Sequence, residues 1–431
     1  MNIIDRTTIV RMIGAAAAIA ACTSTAGAAN LCVSPKGAGC FKTIGAAVAA
    51  AAPHDVVFVS QGTYHEDVIV GKPLSLLGEN AETVVIDATG LLNGINVDGH
   101  GNPGLAHVIV SGFTVRNAQA QGIVVTDASD VVVSDNHLTG NDQALDPVNL
   151  VCPPLPPYFQ GGEGFDCGEA IHLSGVDHSI VSGNHVEHNA GGILISDDTG
   201  PNHDNLITAN VVHDNPYDCG ITIASHHFHL GPVDPSMGIY RIIVDGNTSE
   251  RNGLISGEGA GVGIFTGPPG AQNNGDVVSN NVLRGNALPG VAIHSHAPFQ
   301  TNNDHHIVGN TIADNGPDGD PGTTVPTGIS ISSDTAGNGP AITGIVISQN
   351  VFQREDIDIV VNTPAQSSME AHLNSLTGGV GVANYGAANI SATANWWGCS
   401  KGPGAHGCST IDNTDGGTIV VTPWLMRPFK D

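Results

Sequence analysis

Apolar residues along this chain recur with period two in short runs separated by Asn-containing turns. The runs Gly122-Ile123-Val124-Val125, Ala170-Ile171-His172-Leu173, Gly192-Ile193-Leu194-Ile195, Gly220-Ile221-Thr222-Ile223, Gly261-Val262-Gly263-Ile264, Gly290-Val291-Ala292-Ile293 and Gly328-Ile329-Ser330-Ile331 all carry apolar residues one and three positions after the opening residue. Such alternation marks a strand with one buried face. Between these runs stand pairs of Asn five positions apart: Asn136/Asn141, Asn184/Asn189, Asn210/Asn215, Asn247/Asn252, Asn281/Asn286 and Asn310/Asn315. A second β-rich run, such as Val131-Val132-Val133 or Ile242-Ile243-Val244, precedes each first Asn. A unit this short cannot bury its apolar face alone, but stacking successive units with strands about 4.8 Å apart does. The pattern predicts an all-β parallel helix, a single solenoid of stacked coils. Asn at equivalent turns suits left-handed backbone, and Asn above Asn forms a hydrogen-bonded ladder, so most of these residues are read as structural.

The ends of the chain read differently. Arg6 and Arg11 precede an apolar run from Met12 to Ala21, and Ala26-Gly27-Ala28 offers small residues for cleavage, so residues 1–28 read as an export signal. Ile19-Ala20-Ala21-Cys22 resembles a lipobox, which adds lipid anchoring through Cys22 as an alternative to a freely periplasmic or extracellular protein. No other run is long and apolar enough to span a bilayer. Residues 29–55 read as an N-terminal cap, 56–395 as the β-helix and 396–431 as a C-terminal cap or tail; a monomer is expected. In an oxidising compartment the close pairs Cys32 with Cys40, Cys152 with Cys167 and Cys399 with Cys408 predict disulfides, leaving Cys219 as a buried thiol.

Three further stretches carry a family resemblance. Phe41-Lys42-Thr43-Ile44-Gly45-Ala46-Ala47-Val48 resembles a short capping helix, Gly62-Thr63-Tyr64-His65-Glu66 a first-coil "G-x-Y-x-E" motif, and Asn395-Trp396-Trp397-Gly398 a last-coil motif. With the coils, they make the chain similar to the secreted right-handed parallel β-helix proteins of the pectin-lyase-like superfamily. That resemblance implies a right-handed solenoid with a capping helix. It leaves function open among lyases, hydrolases, esterases, epimerases and binding proteins.

Charge narrows the choice. Forty acidic residues against 13 basic ones give a formal charge of -27, which opposes binding to nucleic acid or to anionic lipid. Between Lys72 and Lys401 there is no lysine, and Arg116, Arg241, Arg251, Arg284 and Arg354 supply the positive charge. Related lyases that take the C5 proton of a uronate commonly use Lys or Arg as base, so a lysine-based lyase is excluded here. An acidic groove also repels polyuronates, leaving an Arg- or His-based lyase or epimerase only with the help of a metal. The absence of any Gly-x-Ser-x-Gly elbow counts against an acyl esterase.

Candidate chemistry gathers around two long insertions, from Asp142 to Asp166 and from about His226 to Gly238, which are expected to wall a groove. His172 takes the outward position between two buried residues of its strand. Ser196-Asp197-Asp198 and Ala224-Ser225-His226-His227 follow the next two strands, with Asp198 and His226 at the same register and about 5 Å apart. A carboxylate that orients an imidazole is an acid/base unit. Asp197, Asp198, His226 and His172 are therefore the candidate catalytic residues, with Glu169, Asp218, His227, Tyr158 and Tyr217 as candidate substrate contacts. This set loosely resembles the consecutive-coil Asp and His residues of polygalacturonase-like hydrolases, although Gly-His-Gly, Asn-Thr-Asp and Arg-Ile-Lys motifs are missing. His294 and His296, with Asp334 one repeat on, form a second group three to four coils beyond the first, too far to share one small site at about 4.8 Å per coil. The tight spacings His294-x-His296 and His226-His227-x-His229 admit a transition metal, but no metal site is assigned; Ca²⁺ on acidic turns is the other ion considered. The reading is a secreted protein acting on a polysaccharide, a hydrolase in preference to a lyase. The alternatives are a non-catalytic carbohydrate-binding or surface β-helix, and a periplasmic one resembling copper-maturation β-helix proteins.

Overall fold

The computed structural model describes residues 28–146, 148–149, 151–152, 168–230, 236–333 and 339–429. Residues 1–27 with Cys22, nearly all of the segment read as an export signal, lie outside the described residues, as do Tyr158, Cys167 and Asp334.

The alternating runs form strands that pair in parallel with the equivalent strand of the next coil. Among the described residues they build sheets of fourteen, twelve, ten and four strands. The inward positions are almost all Val, Ile and Leu, and they merge into one continuous core from Val33 to Trp397. A strand at Asn30–Val33 and strands at Thr410–Asn413 and Thr418–Val420 extend the sheets into the segments read as caps.

The resemblance motifs have local explanations. The helix Ile44–Ala50 is capped by Thr43, whose side chain accepts from the Ala46 amide. Glu66 of the first-coil motif accepts from the amides of Ile44 and Gly45, both at 2.8 Å, and so supplies negative charge where the helix leaves its first amides unpaired. Trp397 of the last-coil motif is fully buried and closes the far end of the core.

Two asparagine ladders run along the corners. One links Asn136, Asn184, Asn210, Asn247, Asn281, Asn310, Asn350, Asn374 and Asn395 by side-chain amide bonds of 3.0–3.1 Å. The other runs from Asn141 to Asn315 and ends on Glu355, which accepts from the Asn315 amide nitrogen at 2.9 Å. The expectation that these Asn adopt left-handed backbone is corrected. The left-handed residue is the one just before, as in Asp135, Gly183, Ala209 and Gly246 ahead of the first ladder. The Asn side chain is kept for the ladder, where the reversed backbone exposes corner amides that it then pairs.

Cys32–Cys40 and Cys399–Cys408 are bonded as expected. Cys219 is a buried free thiol whose acidity burial suppresses. No described helix is long and apolar enough to cross a membrane.

Candidate active site

Six consecutive strands of the twelve-stranded sheet form the site: β1 (Glu169–Ser174), β2 (Gly191–Ser196), β3 (Ile221–Ser225), β4 (Val262–Thr266), β5 (Val291–Ser295) and β6 (Thr327–Ser333). Their inward Ile, Leu and Val residues fix the register. The outward residues therefore fall into columns, one of them His172, Leu194, Thr222, Gly263, Ala292 and Ser330, the next Ser174, Ser196, Ala224, Phe265, His294 and Ser332.

At the ends of β2 and β3, Asp198 and His226 meet as the register requires: Oδ1 of Asp198 lies 3.0 Å from Nδ1 of His226. Ser196 donates to Oδ2 of Asp198 at 2.5 Å, and its oxygen lies 2.8 Å from Nε2 of His172. His172 is 1% exposed, its Nδ1 has no partner, and burial pushes its imidazole down to about 4. It is thus a neutral N–H donor below the surface rather than a group facing substrate. Burial would push the Asp198 carboxyl up, but the charge and hydrogen bond of His226, with help from His172 and Ser196, hold it below the usual carboxylate range. His226 is the member of this chain that reaches the groove.

Asp197 is placed differently from its assignment as a catalytic residue. It is completely buried and accepts from Ser225 Oγ, the His226 amide and the Gly238 amide at 2.7–2.9 Å. The carboxylate faces inward because the turn after β2 needs an acceptor for these amides. It positions His226 and touches no open space.

The groove above β3, β4 and β5 has a volume of about 1080 Å³. Thr222, Ala224 and Phe265 form its floor; His226, His294, His296, Asp318 and Asp320 line one side, and Asp218 and Glu258 another. The two histidine groups share it, contrary to the separation expected from the sequence. His226 follows β3 and His294 lies on β5, only two strands away. Among the described residues the second group has two partners that the strand count did not indicate, while Asp334 lies outside the described residues. Asp318 and Asp320, on the connection after Asn315, fold back over the sheet: His294 Nε2 lies 2.8 Å from Asp318 Oδ2 and its Nδ1 3.1 Å from Asp320 Oδ2, while His296 Nε2 lies 2.8 Å from the same Asp320 oxygen. Burial alone would lower the His294 imidazole, yet the two carboxylates outweigh it and raise it to about 10. The bonds from His294 and His296 in turn hold Asp320 far below the usual carboxylate range. The ligand atoms of His294, His296 and Asp320 all lie within 4.8 Å of one another, but carboxylates already occupy both nitrogens of His294.

The remaining assignments divide. Asp218 lines the groove, and burial pushes its carboxyl up. Glu169, 2% exposed, lies beneath, filling the space a side chain at Gly191 would need. Tyr217 is partly buried against the cluster of Ala120, Val124, Leu145 and Ala190 and is not among the groove residues. His227 stacks on His229 and is not among the groove residues. Among the described residues the Phe, Tyr or Trp ring that lines the groove is Phe265, 5.3 Å from the His294 ring. All five arginines of the solenoid body pair with carboxylates, Arg116 with Asp87, Arg241 with Asp204, Arg251 with Asp214, Arg284 with Glu250 and Arg354 with Asp314, and none lines the groove.

The fold and a sequence match now point the same way. Residues 93–232 match the family model described as a right handed beta helix region. The fold is a right-handed parallel β-helix. Among solved β-helices, the catalytic unit of a thermostable GH87 alpha-1,3-glucanase from Streptomyces thermodiastaticus strain HF3-3 is 14% identical, with a TM-score of 0.50 over 95% of this chain and 71% of that one. The enzymatically active domain of tailspike protein 2 from bacteriophage CBA120 is 13% identical, with a TM-score of 0.52 over 92% of this chain. The β-helix spans about half of that tailspike chain, 52%. DFA-IIIase from Arthrobacter chlorophenolicus A6, without its lid and in complex with GF2, is 12% identical, with a TM-score of 0.50 over 90% of this chain and 99% of that one. No curated protein sequence matches the chain.

Proposed function

We propose that the protein cleaves a neutral polysaccharide by hydrolysis, with His226 and Asp320 as the acid/base pair. The observation that carries this is their arrangement in one groove. His226 is oriented by Asp198, and Asp320 is held ionised by two imidazoles, one of them His294 on the strand two coil rises from the one that His226 follows, with Phe265 between them. Two rises of about 4.8 Å leave room for a sugar unit and a water molecule between the groups. A proton donor on one side of a glycosidic oxygen and a carboxylate on the other are what inverting hydrolysis requires. Phe265 offers a sugar ring an apolar face, and Asp218, whose carboxyl burial pushes up, offers a hydroxyl partner. Among the described residues the paired arginines leave no free cation in the groove, which favours a neutral glycan over a polyuronate. The glucanase and tailspike folds are consistent with a carbohydrate-active β-helix.

The experiment is a panel of neutral and acidic polysaccharides read for reducing ends and 235 nm absorbance together. Hydrolysis predicts reducing ends without absorbance on a neutral polymer. Absorbance at 235 nm would make the protein a lyase, and binding without either signal would make it a carbohydrate-binding β-helix.

A further inference from the structure

A second histidine cluster lies on the ten-stranded sheet, away from the groove. His137, His185 and Val211 are in register on consecutive coils, as are Thr139, Glu187 and His213. Three coils therefore bring His137, His185, Glu187 and His213 to one face. Nε2 of His185 and Nε2 of His213 face each other at 2.8 Å, and Oε2 of Glu187 lies 4.0 Å from the first and 3.8 Å from the second. Three ligand atoms on a tetrahedral ion with bonds near 2.0–2.1 Å stand roughly 3.3 Å apart, so changes of roughly half an ångström or slightly more in these separations close the set.

The surroundings fix the ligands as a metal site would. His213 Nδ1 lies 2.6 Å from Asp214 Oδ2, which places its proton on Nδ1 and leaves the Nε2 lone pair directed at His185 and Glu187. Asp214 is itself held by Arg251 through two bonds of 2.7 Å. This carboxylate–imidazole pairing is the outer-shell arrangement that sets the tautomer of metal-bound histidine. His137 Nε2 lies 2.9 Å from the other oxygen of Glu187 and orients the carboxylate, and its ring stacks on His185 with centroids 4.9 Å apart. The cluster is partly open, with side-chain exposures of 48% for His185, 22% for Glu187 and 18% for His213, so an ion can enter and keep a water ligand.

We infer that His185, Glu187 and His213 form a binding site for a divalent transition metal, with Asp214 and His137 as its positioning residues. Two imidazoles and one carboxylate select a borderline ion such as Zn²⁺ over Ca²⁺ or Mg²⁺. The ion would tie neighbouring coils together on the outside of the solenoid, independently of any chemistry in the groove.

The test uses the full chain, stripped of metal by chelation, with Zn²⁺ and Co²⁺ as probes. Calorimetry should give one tight equivalent of Zn²⁺. His185→Ala/His213→Ala should weaken it at least hundredfold with an unchanged circular dichroism spectrum. Asp214→Asn should weaken it by roughly ten- to a hundredfold. The visible Co²⁺ spectrum should vanish in the double variant and persist in His294→Gln/His296→Gln and in His203→Ala, which remove the other His-carboxylate clusters. Absence of a tight equivalent, or its survival with the Co²⁺ spectrum in His185→Ala/His213→Ala, overturns the assignment.

Discussion

Asp198 and His226 stand 28 residues apart in the chain and 3.0 Å apart in space, one above the other at the ends of consecutive strands. The pair is nearly closed to solvent, with side-chain exposures of 6% and 8%. Removing the carboxylate frees a buried imidazole from its orientation and leaves Ser196 Oγ without its acceptor. Asp198→Asn, which keeps the shape, should lower the cleavage rate at least tenfold and stability by about 1–3 kcal/mol, read by reducing-end kinetics and denaturant unfolding. Full activity in this variant would place the acid/base group elsewhere.

Phe265 lies between the two histidine groups and makes no polar contact that chemistry needs. Phe265→Ala should therefore raise KM about tenfold or more while kcat changes little, because a stacking surface binds substrate and transition state alike. An equal fall in kcat would give the ring a positioning role for His294, on which it packs.

The asparagine ladders predict large costs at buried positions with no catalytic role. Asn247 accepts from the backbone and side-chain amides of Asn210 and donates to Ile207 O and Asn281 Oδ1, all at 2.9–3.1 Å. Asn247→Leu leaves these groups unpaired in a dry corner, so the variant should lose about 2–5 kcal/mol in urea unfolding. A loss below 1 kcal/mol would show that water enters the corner and replaces the side chain.

Glu355 ends the second ladder, and burial pushes its carboxyl from 4.5 up to about 7. The folded state thus holds this proton more tightly than the unfolded state. Below about pH 4.5 both states are protonated and the group is neutral to stability. Between there and about pH 7 the unfolded chain releases its proton first, so stability falls as pH rises and stays reduced above. Glu355→Gln keeps the acceptor oxygen and removes the charge. Its melting temperature should match the parent at pH 4 and exceed it by a few degrees at pH 8; the same offset at both values would contradict the shift.

The solenoid was legible in the sequence because burial imposes period two and each coil repeats the same corner. That periodicity also let the register of Asp198 and His226 be counted from Ile193, Ile195, Ile221 and Ile223. Reading became unreliable where position no longer follows the strand period. Asp318 and Asp320 reach His294 through a connection that folds back over the sheet, and no count along the strands gives that path. The unusual length of the segment from Asn315 to Thr327, rich in Gly, Pro and Asp, was the signal available. Asp197 and Asp198 are adjacent and chemically identical in sequence, and only the amides of His226 and Gly238 decide which of them turns inward. Tyr217 reads as a sugar platform in sequence because the cluster it packs against includes Leu145, which comes from a distant insertion.

The central claim is that His226 and Asp320 act together on one glycosidic bond. It is tested most directly by kinetics of His226→Gln and Asp320→Asn on whichever polymer the panel identifies. Each should reduce kcat at least a hundredfold, and the double variant should lose little more, since two halves of one acid/base unit are not additive. Circular dichroism and melting temperature should stay close to the parent. Well-folded variants that both keep activity within about threefold of the parent would contradict the account.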